Sequence, residues 1–243
     1  MYIDFHNHVL PGIDDGPQTI EESLELLKMF SEQGVKRIIT TPHYDPRKQD
    51  LNIFIEERDR SYQMLLSDLR FKKLGIEVKV GAEIYFREEM NHLDLSSLAY
   101  QDSAYILVEL PTRSVPPGIE RTFQNLINEG YNPILAHIER YSILRDDLAL
   151  FERLIEMGVL MQVNLSTLID PDPFVKKALK KNYIHLISSD AHDTVHRPPK
   201  WDVILDCLEN IEVYIDRAQR IWYDQDLDMQ IQSKILKIGK FYL

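Results

Sequence analysis

The sequence predicts an α/β protein built from repeated strand–helix units, and three observations support that fold class. Short apolar runs rich in branched residues alternate with longer segments of helical period, as in folds with parallel strands. Seven such runs occur, and no linker rich in glycine, serine or proline divides the chain. The length of 243 residues suits one domain of α/β-barrel size. We therefore expect a single domain over residues 1–243.

The predicted strands are the apolar runs themselves, because strands buried on both faces read as nearly continuous apolar segments. Seven strand–helix units without a linker favour an incomplete or distorted TIM-like barrel. A doubly wound sheet has the same alternation and stays open as the alternative. The seven runs lie at residues 2–9, 37–42, 77–86, 105–110, 133–138, 160–166 and 185–191.

The first helix has the clearest boundaries. Thr19 and Glu22 have the spacing of a capping box, apolar residues then recur at helical spacing, and Gly34 follows the last of them. The segment from about residue 216 is helical and partly amphipathic, and we expect it to pack across the outside of the barrel. The remaining predicted helices lie at residues 50–73, 118–129, 145–157, 172–181 and 200–210.

Composition narrows the function classes. The charge balance of 28 basic against 39 acidic residues gives a net charge of −11, which disfavours nucleic-acid binding. The single cysteine, Cys207, excludes an intramolecular disulfide and fits a reducing cytoplasm. We find no export signal and no uninterrupted apolar stretch long enough to insert into a membrane. The sequence therefore predicts a cytoplasmic protein.

The first strand carries two histidines in alternation, His6 and His8. A period of two places both imidazoles on one face of the strand, close enough to bind a single ion. This short pattern alone fits structural or surface histidines equally well.

Ligand-type side chains also occur near the carboxyl ends of most other predicted strands, where parallel barrels build their sites. A single carboxylate there is better explained by a nearby helix N-terminus, but such a coincidence over six strands favours a metal centre. Imidazole and carboxylate without thiolate suit zinc, manganese or iron, and bridging carboxylates allow two or three ions. The residues concerned are His43, Glu83, Glu109, His137, Asp190 and His192.

At these positions the sequence resembles the PHP (polymerase and histidinol phosphatase) superfamily and, within it, the bacterial protein-tyrosine phosphatases of capsule and exopolysaccharide loci. Ile138 is a departure, since many relatives have proline there. The resemblance covers most of the chain and rests on the stretches DFHNHVLPGIDDGP, TTPHY, GAEIY, LVELP, ILAHIERY and SSDAH, the last followed by Arg197.

The resemblance implies a distorted (β/α)7 barrel, the PHP fold, with a trinuclear metal centre that often holds manganese. It implies hydrolysis of phosphotyrosine on a partner tyrosine kinase of polysaccharide assembly. By position, Arg140 and Arg197 would bind phosphate, and Asp14 is an additional candidate. The implied metal ligands are His6, His8, His43, Glu83, Glu109, His137, Asp190 and His192.

The residues themselves leave alternatives for these three additional side chains. Arg140 could instead form a salt bridge with Asp146 or Asp147, and Arg197 has the setting of an ordinary loop arginine before proline. Asp14 is at least as well explained by a turn with Gly16.

Other function classes also remain open. They include a small-molecule phosphatase of the histidinol-phosphate type, a non-catalytic metal-binding regulator of a kinase, a metal-dependent amidohydrolase and a nuclease. Amidohydrolase sites often use a bridging lysine, whereas the fourth strand offers Glu109, and the acidic balance gives a nuclease no electrostatic help. A phosphocysteine mechanism is excluded, because position 213, six residues after Cys207, is valine and not arginine.

Overall fold

The structure, a computed structural model, describes residues 1–112, 114–208 and 210–227. It is a mixed α/β structure in which every strand pair is parallel, which confirms the predicted fold class. Within the described ranges the strands are β1 (Tyr2–Asp4), β2 (Val35–Thr40), β3 (His43–Tyr44), β4 (Glu77–Val80), β5 (Glu83–Tyr85), β6 (Tyr105–Glu109), β7 (Asn132–Leu135), β8 (Leu160–Asn164) and β9 (Leu186–Ser188).

The helices lie between the strands, as the sequence predicts. The capping box of α1 is present: the Thr19 side chain accepts from Glu22 N, and the Glu22 carboxylate accepts from Thr19 N. The helices are α1 (Ile20–Glu32), α2 (Leu51–Ser67), α3 (Leu69–Lys72), α4 (Ile119–Asn128), α5 (Ser142–Asp146), α6 (Leu148–Met157), α7 (Leu165–Leu168), α8 (Pro173–Lys180), α9 (Ile204–Cys207) and α10 (Ile211–Trp222), with 3₁₀ turns at Glu88–His92, Ile138–Arg140 and Trp201–Val203.

The predicted strand over residues 77–86 is divided into β4 and β5 at Gly81. A β-carbon at Gly81 would lie 2.8 Å from the Tyr100 ring, so this position favours glycine. Residues 41 and 42 interrupt the preceding predicted strand in the same way and separate β2 from β3. The strands consequently belong to two sheets, with the orders β1-β2-β4 and β3-β5-β6-β7-β8-β9.

The seven predicted strand runs follow one another in a ring. A parallel bridge between Asn7 and Ala191 joins the chain after β1 to the chain after β9. On the other side, β4 and β5 carry one run from the first sheet into the second. This cyclic order is compatible with the predicted distorted barrel, and because all the strand pairs are parallel, the carboxyl ends of the runs lie on one side.

The opposite end of the ring is closed by α10. Ala218, Ile221 and Trp222 pack in one apolar cluster with Ile3 of β1 and Leu186 of β9. The helix begins at Ile211, overlaps the start of the predicted C-terminal segment and packs against residues of β1 and β9. Residues 228–243 of the predicted C-terminal segment lie outside the described residues. No helix in the described ranges is long and apolar enough to cross a membrane.

Candidate metal centre

A buried carboxylate, Asp4, holds the segment that carries the two alternating histidines. Its Oδ1 accepts from His6 N at 3.2 Å, and its Oδ2 accepts from Ser189 N at 2.9 Å and from Trp201 Nε1 at 2.7 Å. Burial raises the pKa of Asp4, and these donors partly offset that effect. Asp4 therefore ties the carboxyl end of β1 to the carboxyl end of β9, where Asp190 and His192 follow.

The structure brings together all eight side chains that the sequence indicates as metal ligands, and it adds Asp15. We call these nine residues the ligand cluster. They form four overlapping groups, and within each group one nitrogen or oxygen atom per residue lies within 4.8 Å of the others. The groups are His6, His8 and Asp190; His6, Glu83 and His137; His43, Glu83 and Glu109; and His8, Asp15, His43 and His192.

Glu83, at the start of β5, is the centre of the ligand cluster. Its Oε2 lies 3.2 Å from His6 Nε2, 3.4 Å from His8 Nε2 and 3.0 Å from His43 Nδ1. Its Oε1 lies 2.8 Å from His137 Nε2. Burial raises the pKa of Glu83, but the surrounding imidazoles outweigh it and hold that pKa well below its usual range. Glu83 is therefore a carboxylate that several groups share.

Atoms without hydrogen-bond partners indicate that this arrangement fits cations. Buried polar atoms are almost always hydrogen-bonded, and leaving one unpaired is costly. Glu83 Oε2 and Asp190 Oδ1 nevertheless have no hydrogen-bond partner among the residues that the structure describes, although each faces imidazole nitrogens. A divalent ion would satisfy these atoms, since each can donate a lone pair. The imidazole atoms of the ligand cluster that share this property are His6 Nε2, His8 Nε2, His137 Nδ1 and His192 Nε2.

Asp14 and Asp15 have different positions. Asp14 Oδ2 lies 2.6 Å from His8 Nδ1 and accepts from His43 N at 3.1 Å, and its Oδ1 accepts from Gly16 N at 3.0 Å. Asp14 thus combines the turn and the site interpretations, and it contacts the outer nitrogen of His8. Asp15 Oδ1 instead lies 3.1 Å from His192 Nε2 and 3.4 Å from His43 Nε2. The sequence prediction named Asp14 and not Asp15 as the candidate, because two adjacent loop aspartates carry the same signal.

The two candidate phosphate-binding arginines meet on Asp190. Arg197 Nη2 donates to Asp190 Oδ2 at 2.7 Å, and Arg140 Nη2 donates to the same oxygen. Among the described contacts, Arg140 pairs with Asp190 rather than with Asp146 or Asp147. The side chains of Arg140 and Arg197 are 37% and 34% exposed, so neither arginine is fully buried.

Two carboxyl groups at the site have elevated pKa values. Burial and the nearby charge of Glu83 raise the pKa of Glu109 to about 7. Burial raises the pKa of Glu139, whose Oε1 accepts from Asn164 N at 3.2 Å, to about 7 as well. Glu139 is a second residue that the sequence analysis did not name. It directly precedes Arg140, and an acidic residue in the first turn of a helical segment is common for structural reasons alone. Two amide side chains of β8, Gln162 and Asn164, also lie buried at the site and gave no sequence signal.

Comparison with known proteins agrees with this geometry. The profile of the family described as "Capsular polysaccharide synthesis, CpsB/CapC" matches residues 2–231. The chain is 28% identical to the tyrosine-protein phosphatase CpsB of Streptococcus pneumoniae, over 92% of this chain and 99% of the relative. It is 31% identical to the tyrosine-protein phosphatase YwqE of Bacillus subtilis, over 80% of this chain and 79% of the relative.

Solved structures give the same result. The fold is similar, with a TM-score of 0.80 and 26% identity, to a chain from the crystal structures of YwqE from Bacillus subtilis and CpsB from Streptococcus pneumoniae, which are called unique metal-dependent tyrosine phosphatases. That match covers 93% of this chain and 96% of the other. An amidohydrolase from Mycoplasma synoviae matches with a TM-score of 0.51 at 12% identity, over 98% of this chain and 93% of that chain, a likeness of fold alone.

Proposed function

Since the chain belongs to the CpsB/CapC family of capsular polysaccharide synthesis, we propose that it is a metal-dependent protein-tyrosine phosphatase. The observation that carries the proposal is the ligand cluster with two half-exposed arginines beside it at the carboxyl rim. Relatives of similar length are named tyrosine-protein phosphatases, which is the activity that the sequence resemblance implies.

The ligand cluster would hold two or three divalent ions. Glu83, His6, His8 and His43 each belong to two of the four groups, and shared ligands are typical of ions lying side by side. Nitrogen and oxygen donors without thiolate suit manganese, our first candidate, and also iron or zinc. When bound, such ions would neutralise phosphate oxygens and lower the pKa of a bound water toward neutrality.

The protein's own residues would orient the substrate. Arg140 and Arg197 donate to Asp190 Oδ2, and a phosphate group would offer the two guanidinium groups stronger, paired acceptors. Phosphomonoester hydrolysis then requires water to attack phosphorus in line while the bond to the tyrosine oxygen breaks. The phenolate is a fairly good leaving group, so the demand for a general acid is modest.

The proposed substrate is a phosphotyrosine-bearing bacterial tyrosine kinase that regulates capsular or exopolysaccharide synthesis, and the single cysteine supports a cytoplasmic site of action. The family description supports the role in capsular polysaccharide synthesis, and the kinase assignment rests on the resemblance of the motifs to phosphatases of such loci.

The test is hydrolysis of a phosphotyrosine peptide, a phosphoserine peptide and histidinol phosphate by manganese-loaded protein, with the metal content measured. We expect metal-dependent, tyrosine-selective turnover that His6→Ala abolishes. His92→Ala is the matched control, because His92 is exposed in the 3₁₀ turn after β5 and should leave turnover unchanged. Turnover of histidinol phosphate alone would contradict the proposal in favour of a small-molecule phosphatase, and loaded protein without any turnover would favour a kinase-binding regulator.

A further inference from the structure

The strand β8 has an unusual place at the site. Among the described residues, none of the nine members of the ligand cluster comes from β8. Two amide side chains, Gln162 and Asn164, instead alternate along this strand and point toward the cluster, where they are 1% and 3% exposed. Two buried amides without charge need a complete set of hydrogen bonds, so their partners reveal what they do.

The donor and acceptor roles in this chain of hydrogen bonds are fixed, because the group at each end of the chain can act in only one way. The His137 backbone N–H can only donate, and it donates to Gln162 Oε1 at 2.7 Å. Gln162 must therefore present its NH₂ group to Asn164 Oδ1, at 2.9 Å. Asn164 in turn donates from Nδ2 to Asp190 Oδ2 at 2.9 Å. The carboxylate oxygen at this end is an acceptor, since Arg140 and Arg197, whose guanidinium groups can only donate, also donate to Asp190 Oδ2.

This direction determines the position of a proton on His6. Gln162 Oε1 also lies 3.2 Å from His6 Nδ1, and an acceptor at that position requires His6 Nδ1 to carry hydrogen. The lone pair of a neutral His6 is then on Nε2. That atom faces Glu83 Oε2 at 3.2 Å and Asp190 Oδ1 at 3.4 Å, both of which lack hydrogen-bond partners.

The same hydrogen bonds give the two carboxylate oxygens of Asp190 different roles. Oδ2 accepts from Asn164, Arg140 and Arg197, whereas Oδ1 has no hydrogen-bond partner. A carboxylate with one oxygen occupied in this way cannot turn without losing these donors. Asp190 therefore presents Oδ1 to the side where His6 presents Nε2.

We propose that Gln162 and Asn164 are positioning residues that hold His6 in its Nδ1–H tautomer and direct Asp190 Oδ1 toward the metal side of the site. The proposal rests on the proposed function in one respect, that His6 and Asp190 bind metal. Partners that orient metal ligands typically change metal affinity 10- to 100-fold when they are removed.

The test compares Gln162→Leu with Gln162→Glu. Leucine removes both the acceptor for His6 and the donor to Asn164, whereas glutamate keeps the acceptor. Gln124→Leu is the matched control, because Gln124 lies on α4 and, among the described residues, its amide donates to the exposed Asn128. The readouts are ¹⁵N imidazole NMR, recorded at high pH where His6 is neutral, which distinguishes a protonated Nδ1 from a bare one, and titration of the metal-free protein with Zn²⁺, a diamagnetic ion.

We expect a His6 Nδ1–H signal in the wild-type protein, in Gln124→Leu and in Gln162→Glu, and its loss or mixing with the other tautomer in Gln162→Leu. Zinc affinity should fall about 10- to 100-fold in Gln162→Leu and stay at the wild-type value in Gln124→Leu. An unchanged His6 signal in Gln162→Leu, or loss of that signal in both Gln162 variants, would overturn the proposal. Failure of the wild-type protein to bind zinc would count against the proposed function, while the metal-free spectra would still decide the role of Gln162.

Discussion

The carboxylate of Asp14 lies 2.6 Å from Nδ1 of His8, while Nε2 of the same imidazole faces Glu83 and Asp190. Asp14 thus holds the outer nitrogen of a histidine whose inner nitrogen is directed at the ligand cluster. This carboxylate–histidine arrangement is common where imidazole binds a metal, because it sets both the ring orientation and the tautomer. The neighbouring Asp15 is itself a member of the ligand cluster.

The two adjacent aspartates should therefore respond differently to removal. We expect Asp15→Ala to lose part of the bound metal, because Asp15 belongs to a ligand group with His43 and His192. Asp14→Ala should keep the metal count under saturating conditions but bind about 10- to 100-fold more weakly, as a lost orienting partner predicts. Elemental analysis after titration and gel filtration measures both quantities. Equal loss of metal in the two variants would contradict the distinction.

Substitution of Arg140 or Arg197 should weaken the reaction of the phosphotyrosine peptide more than it affects metal content. A hydrogen bond to a charged group contributes about 1.5 to 3 kcal/mol, so kcat/KM should fall roughly 10- to 100-fold for each alanine variant. Replacement of either arginine by lysine should restore little of the lost kcat/KM, because lysine lacks the planar guanidinium group that binds two oxygens.

The matched control for these variants is Arg153→Ala, since Arg153 is a half-exposed arginine on α6 that pairs with Glu120. Steady-state kinetics on metal-saturated protein gives the comparison. If Arg140→Ala kept the wild-type kcat/KM, Arg140 would not be a phosphate-binding residue.

Metal binding near neutral pH should release protons. Burial lowers the pKa of His43, but Asp15 and Glu83 outweigh it and raise that pKa to about 10. Asp14 similarly raises the pKa of His8 against the effect of burial. His43 is therefore protonated in the metal-free protein at pH 7.5 and must lose a proton to bind a cation, so apparent affinity should increase as pH rises. Calorimetry in buffers of different ionisation enthalpy should detect at least about one proton released per protein. Metal binding without proton release would contradict this expectation.

His185, at the start of β9 and away from the ligand cluster, should make stability depend on pH. Burial, with the charge of Arg217, lowers the pKa of His185 to about 3. The unfolded chain takes up a proton near pH 6.5 and the folded protein does not, so stability falls as pH decreases from 6.5 toward 3. Between pH 7 and pH 4.5 this loss amounts to about 2 to 3 kcal/mol.

The variant that tests this contribution is His185→Asn. Its side-chain oxygen can replace His185 Nδ1 as the acceptor for Met161 N, now at 3.0 Å. Urea unfolding at several pH values should show a weaker loss of stability below pH 6.5 in the variant than in the wild-type protein. Parallel curves for the two proteins would refute the assignment.

Removal of the Trp222 side chain should destabilise the protein without changing the chemistry. Trp222 is 3% exposed at the closed end of the ring, and its indole lies under Arg37 and Lys79 at 5.2 and 4.8 Å. Trp222→Ala should cost about 3 to 5 kcal/mol. Tyr223→Ala, at a 55% exposed neighbour, should cost far less. Thermal unfolding measures the difference, and a change in kcat of the folded Trp222 variant would show that the two ends are coupled.

Much of the site could be predicted from the sequence because strand geometry makes it a local property. His6 and His8 share a face by their spacing of two, and residues at the ends of parallel strands meet at one rim wherever the strands pair. The predicted strand over residues 77–86 shows the limit of such reasoning. An apolar run reads the same whether it continues or breaks, and Gly81 marks a break only because Tyr100 packs against it.

The sequence by itself determined the fold class, the rim at which the chemistry lies and eight members of the ligand cluster, since these follow from periodicity and from residue type at strand ends. Only the tertiary structure decided that Asp15 joins the cluster while Asp14 orients His8, and that Gln162 contacts His6 from 156 positions away in the chain. The physical reason is that a loop carboxylate or a buried amide acquires its role from its partners. Those partners come from other strands, and their approach depends on how the whole ring closes.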